Sequence, residues 1–221
     1  MNYHFNWSVI WRNADQLFYG LGLALAIAVL ALGVGCLIGI ALALCRQSNT
    51  RWLRVPATCV VELLRNSPLL VLVFYVYFGL PAIGIRILND IESFTLALAV
   101  YAGAYLCEIF RAGLASLPVA YIEAGKGIGL TSLQRMRYVV LPILFRIVLP
   151  SLSTAFISLF KDTSFAAAIG VHELTFAART INVNTFQVIE TWIVAAGLYL
   201  LTSYLIAIVL RRIERRFAMV R

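Results

Sequence analysis

Between Glu108 and Pro142 the chain gathers Glu108, Arg111, Glu123, Lys126, Arg135 and Arg137, although it is 62% hydrophobic and only 13% charged overall. In so apolar a chain these side chains must sit in water or against another protein. Only two histidines are present, His4 and His172, and neither sits near a nucleophile in a base-pair spacing. No Gly-x-x-x-x-Gly-Lys-Ser/Thr phosphate loop occurs, so nucleotide hydrolysis would have to be supplied by another chain. Cys36, Cys45, Cys59 and Cys107 show no paired or metal-like spacing and read as small buried hydrophobes. A second set of polar groups lies inside otherwise apolar stretches: Glu62, Arg65, Asn66 and Ser67, then Ser151, Ser153, Thr154, Ser158 and Lys161-Asp162-Thr163-Ser164. Polar groups at such positions mark either a wet cavity wall or hydrogen bonds between helices.

The elements that must position these residues are membrane spans. The composition belongs to the membrane class, and the net charge of +8 does not form a basic stripe interleaved with aromatics, which argues against nucleic acid. Met1 to Asp15 lacks a cationic start and is not expected to be a cleaved signal. A span needs about 20 apolar residues. Five runs satisfy this, giving spans at 18–45, 57–80, 93–117, 138–162 and 191–210 of a single domain, 1–221. Gly35-x-x-x-Gly39 in the first would admit a close neighbouring helix. Pro56 is expected to start the second helix and Pro68 to kink it, with Gly79-Leu80-Pro81 as its break. Glu62 and Arg65, like Glu108 and Arg111, are three apart and share a face. The segment 119–128 forms a short helix after Pro118, with Gly127 and Gly129 as its stops. Pro142 falls in the first turn of the fourth span and Pro150 inside it. At about 1.5 Å per residue, Thr154 lies about 18 Å beyond Pro142, near mid-membrane. His172 reads as a loop residue, and the arginines from 211 to 216 stop the last helix at the membrane surface.

Orientation follows from the loops. Arg46, Arg51 and Arg54, then Arg111, Lys126, Arg135 and Arg137, then Arg211, Arg212, Arg215, Arg216 and Arg221 fall on one side, against Arg12, Arg86 and Arg179 on the other. The positive side faces the cytoplasm, which puts the N-terminus outside, the C-terminus inside and the 118–137 loop in the cytoplasm.

That loop resembles the cytoplasmic coupling loop of the membrane-spanning subunit of ATP-binding-cassette importers. Its signature is Glu-Ala-Ala, three residues, Gly, then about nine residues before a hydrophobic residue, any residue and Leu-Pro. Glu123, Ala124, Gly125, Gly129, Val139, Leu141 and Pro142 stand in register, with Gly125 in place of the second Ala. Arg65-Asn66-Ser67-Pro68-Leu69-Leu70 and the run Phe156 to Ser164 resemble the polar-amino-acid branch, as a permease of the bacterial inner membrane would. Ala155 departs from relatives that place a polar or acidic residue there. The resemblance implies an ATPase-coupling role for Glu123, Ala124, Gly125, Gly129, Leu141 and Pro142. It also implies a dimer of ATP-binding-cassette ATPase subunits that holds ATP and Mg, a second permease of the same or a sibling chain, and an extracytoplasmic amino-acid-binding protein. No cofactor is expected in this chain. Ser67, Leu70, Val71, Ser153, Thr154 and Ser158 are the candidate path-lining residues, each also open to a role in helix–helix hydrogen bonding.

Two other classes stay open. A secondary transporter or channel would use carboxylates such as Glu62, Glu108 or Asp162. A membrane scaffold without transport would tolerate a charge change at Glu123.

Overall fold

In the computed structural model, which describes residues 4–217, the central element is α6 (Asp90–Ala115). Asn89 begins it. The Asn89 side chain accepts from the Glu92 N–H at 2.8 Å, and the Glu92 carboxylate accepts from the Asn89 N–H at 3.0 Å, so two otherwise orphaned donors are satisfied. Phe94, Leu98 and Leu106 are fully buried along this helix. Around it pack α2 (Ala14–Gln47), α3 (Arg51–Asn66), α4 (Leu69–Phe74) and α9 (Leu141–Asp162). Lipid is as apolar as leucine, so close backbone approach and dispersion must hold such a seam together. On α2, Ala31, Gly35, Gly39 and Ala43 recur every four residues and are all buried. A Cβ at Gly35 would lie 2.9 Å from the Ala102 Cβ, and one at Gly39 2.9 Å from the Leu106 Cβ. The Gly35-x-x-x-Gly39 spacing is therefore used as expected, against α6.

Among the described residues, four helical segments are long and apolar enough to cross a membrane: α2, α6, the stack Ser132–Ile169, and α11 (Val188–Phe217). A fifth span results if Arg51–Asn66 and Leu69–Ala82 are taken together. That pair corrects the expectation of one kinked helix over 57–80, because its axis turns by 110°. A proline drives the residue before it out of the helical region. Ser67 and Pro68 both become extended, with ψ of 140° and 133°, and Pro68 starts α4 instead of kinking α3. Most of the stretch 46–54, which joins the first two spans, is also helical. Arg46 ends α2, while Arg51 and Arg54 belong to α3, which contains Pro56 instead of starting there.

The two Leu-Pro pairs share a device. A π-helical turn, Tyr75–Gly79, precedes Leu80-Pro81, and another, Met136–Val140, precedes Leu141-Pro142. In the first, the Leu80 N–H reaches back five residues to Tyr75; in the second, Leu141 reaches Met136. The widened turn relieves the clash that a proline ring would make with the carbonyl four residues earlier. The chain is thus helical through Gly79-Leu80-Pro81, ends with α5 (Leu80–Ala82), and turns at Gly84 with φ of 94°. Pro142 is likewise not in a first turn, since the helical stack begins at α8 (Ser132–Arg135).

Two more differences concern the end of the chain. The segment 165–190 holds a 3-10 turn, Thr163–Ile169, and α10 (Leu174–Thr185). Glu173 caps α10 and is fully buried, accepting from the N–H groups of Thr175 and Phe176 at 2.9 Å each and from the Tyr199 hydroxyl at 2.6 Å. Burial pushes its carboxyl above the usual carboxylate range, and the three donors pull it partly back. His172 is exposed on the loop before it, its ring against Phe176. The arginines from 211 do not end α11, which runs to Phe217, because no helix breaker is present and cations suit a helix C-terminus. Arg221 lies outside the described residues.

Candidate functional site

Side chains three and four apart line one face of a helix. On α6 that spacing aligns Tyr101, Tyr105 and Glu108; on α9 it aligns Ser151, Thr154, Ser158 and Asp162. The two faces oppose each other across a cavity of about 510 Å³, closed at one corner by Arg65 from the end of α3. The volume is in the range of small-molecule sites. Its polar lining is built in layers. The Tyr101 and Tyr105 hydroxyls lie 3.2 Å apart, and Tyr105 donates to the Arg65 carbonyl at 3.2 Å. The Arg65 guanidinium lies 5.5 Å from the centre of the Tyr105 ring, a cation–π arrangement.

Below the tyrosines sits an ionic cluster drawn from three helices. Glu108 accepts from Arg46 on α2 through one carboxylate oxygen. Through the other it accepts from Arg111 Nε at 2.9 Å and Nη2 at 2.8 Å. The spacing of Glu108 and Arg111 predicts their pairing, and the structure adds Arg46 as a partner. Arg65 Nη1 stands farther off, 3.8 Å from Glu108 and 4.0 Å from Glu62, and Arg46 Nη2 is 3.9 Å from Glu62. Glu108 and Ser151 also border a second void of about 450 Å³, which continues along Ala112, Gly113 and Ser116. They form the partition between the two spaces.

Of the path residues named from the sequence, Thr154 and Ser158 line the large cavity. Ser153 is buried and donates to the Leu149 carbonyl at 3.0 Å; Ser67 donates to the Leu63 carbonyl at 2.7 Å. Leu70 and Val71 lie on α4, with Val71 exposed. Sequence reasoning missed Tyr101 and Tyr105, and it counted Ser151 and Asp162 among the polar groups of the fourth span without placing them on the path. The signal was available in the i, i+3 and i+4 spacing, which separates Ser151, Thr154 and Ser158 from Ser153.

The second candidate surface is α7 (Val119–Gly127) and the turn after it. Gly129, at φ of 79°, closes the helix with bonds from its own N–H to the Lys126 carbonyl at 2.9 Å and from the Leu130 N–H to Gly125 at 3.0 Å. Such a closing turn demands a left-handed residue, which glycine supplies without strain. Glu123 and Ala124 face outward. Gly125 faces inward: a Cβ there would lie 3.1 Å from the Arg135 Cγ, whose guanidinium donates to the Leu130 carbonyl at 2.7 Å. Val119, Ile128 and Leu133 are largely exposed, the last two at 77% and 79%, an apolar rim on a polar loop. Leu141 and Pro142 lie exposed at the foot of α9. Among the described residues, no group of three or more His, Cys, Asp or Glu could hold a metal ion.

Comparison with known proteins gives a consistent picture. The profile of the family described as "Binding-protein-dependent transport system inner membrane component" matches residues 35–219. The glutamine transport system permease protein GlnP of Escherichia coli (strain K12) is 35% identical over 217 residues, covering 96% of this chain and 97% of that one. The L-cystine transport system permease protein TcyB of Bacillus subtilis (strain 168) is 38% identical over 181 residues, covering 81% and 77%. Among solved structures, one described as an amino acid ABC transporter with histidines superposes with a TM-score of 0.89 at 29% identity, covering 97% of this chain and 100% of that one.

Proposed function

The chain belongs to the family of binding-protein-dependent transport system inner membrane components, a family of transport permeases rather than enzymes, and we propose that it carries a polar amino acid into the cytoplasm as the membrane-spanning subunit of an ATP-driven importer. The observation that carries this reading is the cavity between α6 and α9, where hydroxyls, a guanidinium and carboxylates meet inside a bundle whose spans are otherwise apolar. A zwitterion needs such paired polarity to leave water.

In this reading the whole chain is one domain of the bacterial inner membrane, N-terminus outside and C-terminus in the cytoplasm. The bias of arginines toward the α7 side supports that orientation. The α7 loop, with Glu123, Ala124 and Gly129 and the foot at Leu141 and Pro142, docks on an ATPase dimer that binds ATP and Mg. The exposed Val119, Ile128 and Leu133 support a protein partner there. Gly125 serves the loop from within. A second permease, the same or a sibling chain, completes the membrane part, and an extracytoplasmic binding protein delivers the amino acid. Thr154 and Ser158 are the path residues with the strongest geometric support, while Ser67, Leu70, Val71 and Ser153 flank the route.

The deciding experiment reconstitutes the complex in nanodiscs and follows ATPase rate with binding protein loaded from a panel of amino acids. Stimulation by one loaded protein is the expected result. A rate that ignores every loaded protein would sink the proposal. Glu108 and Asp162 line the cavity, which gives an ion-coupled carrier its best argument; uptake by the purified chain without ATP would favour that rival.

A further inference from the structure

We infer that Arg65 is the residue that takes the carboxylate of the transported amino acid, and that doing so draws it away from Glu108. This rests on reading the α6–α9 cavity as the transport path. The argument begins with charge. Arg46, Arg65 and Arg111 surround Glu108, and among the described residues Glu62 is the only other carboxylate of the cluster, so three cations meet two anions. The two oxygens of Glu108 are hydrogen-bonded to Arg46 and Arg111. Arg65 is held to the cluster only at 3.8 Å and 4.0 Å, beyond hydrogen-bond reach, so it is the cation with its pairing capacity least used.

Its own geometry points the same way. Arg65 Nε is buried and has no hydrogen-bond partner. A guanidinium pairs best with a carboxylate through two parallel N–H donors, and an unpaired Nε beside a loosely held Nη gives Arg65 unused donors that its side chain would turn into the cavity on leaving Glu108. The side chain borders the cavity, and its guanidinium lies over the Tyr105 ring. Arg65 is also two residues before the Ser67–Pro68 break, where the axis turns by 110°. The cavity's other lining carboxylate, Asp162, comes from the far end of the α9 face, past Thr154 and Ser158. The cavity therefore offers a cation at one pole, hydroxyls between, and an anion for an ammonium at the other. Because Glu108 borders both the cavity and the second void, releasing Arg65 from it loosens the partition that the amino acid must next cross.

The test measures equilibrium binding of radiolabelled L-glutamine, L-histidine and L-arginine to the permease–ATPase complex in nanodiscs without binding protein. Each is competed by the free amino acid and by its α-amide, which lacks the carboxylate. In the wild type the acid competes at least tenfold better than the amide. Arg65→Gln reduces that ratio to below threefold, whereas Arg65→Lys, which keeps the charge, retains at least half of it. A merely structural role would weaken acid and amide alike and leave the ratio unchanged, which would overturn the inference. If Arg65→Gln fails to assemble, Arg65→Met takes its place under the same criterion: a ratio below threefold supports the inference, and a wild-type ratio overturns it. Absence of saturable binding by all three amino acids to the wild type, together with ATP-driven uptake of one of them, would remove Arg65's role without removing the importer. Absence of both would remove the two readings together.

Discussion

Arg46 and Glu108, 62 residues apart, are joined by a hydrogen bond that ties the end of α2 to α6. Glu108 is the shared acceptor of the cluster, so removing it and removing one of its donors are unequal changes. Glu108→Ala leaves three guanidiniums facing Glu62 alone and is expected to cost on the order of 3 kcal/mol. Arg111→Ala leaves Arg46 in place and removes a half-exposed partner, so it should cost less than half as much. Thermal unfolding of the purified complex in detergent compares them. Equal costs would mean that Glu108 does not organise the cluster.

At the α7 loop, Glu123→Lys reverses an outward-facing charge without touching the core. The expected outcome is membrane insertion at the wild-type level with uptake reduced by at least tenfold. Uptake assays beside quantitative blots of the membrane fraction read both. Retained uptake would place the docking contact elsewhere.

The α2–α6 seam makes a paired prediction. A Cβ at Gly103 would lie 2.5 Å from the Ile38 Cγ2, so Gly103→Val forces the helices apart, at a cost of about 1–3 kcal/mol. Ile38→Ala added to it creates space for the new methyls and should restore at least half of the lost stability, read as melting temperature. A non-rescued double variant would mean that the backbone, not Ile38, sets the limit.

In the cavity, Thr154→Val keeps shape and removes a hydroxyl, and Ser158→Ala does the same on the same face. Each lost hydrogen bond is worth about 1 kcal/mol, so the double variant should raise the KM for uptake by roughly tenfold or more, with assembly intact. An unchanged KM would take these hydroxyls off the path.

Glu173 provides a pH test. Its carboxyl is raised in the folded protein, so the stability it allows is complete below the ordinary carboxylate range and is lost as pH rises through the raised value. Glu173→Gln cannot ionise but still offers an oxygen to the N–H groups that start α10. The melting temperature of the wild type, relative to this variant, should therefore fall as pH rises above the ordinary carboxylate range. The opposite trend would show that the three donors outweigh burial.

Most of the spans were legible because hydropathy alone marks what can lie in lipid, and the short helix after Pro118 was legible from its turn residues. What could not be read were relationships between helices. Glu108 and Arg111 announce their pairing by spacing, but nothing in the chain tells Arg46 that it will meet Glu108. Arg65 could be placed on a face, not at the corner of a cavity. The Ser67–Pro68 break exceeded the expected kink because a proline displaces its predecessor as well as itself, and two extended residues reorient an axis far more than one. The motif spacing marks Gly125 for a coupling role, but it does not show that the missing side chain also accommodates Arg135 of the same chain.

That last contact has a mechanical meaning. Because Gly125 seats on the stem of Arg135, and Arg135 ties back to Leu130, α7 is wedged against the foot of the stack that continues into α9. In the importer reading, a push on α7 would pass to that stack through this contact. The rise is about 1.5 Å per residue from that foot to Thr154 and Ser158, so in the importer reading a displacement at the loop would be carried along one helical stack to the cavity wall.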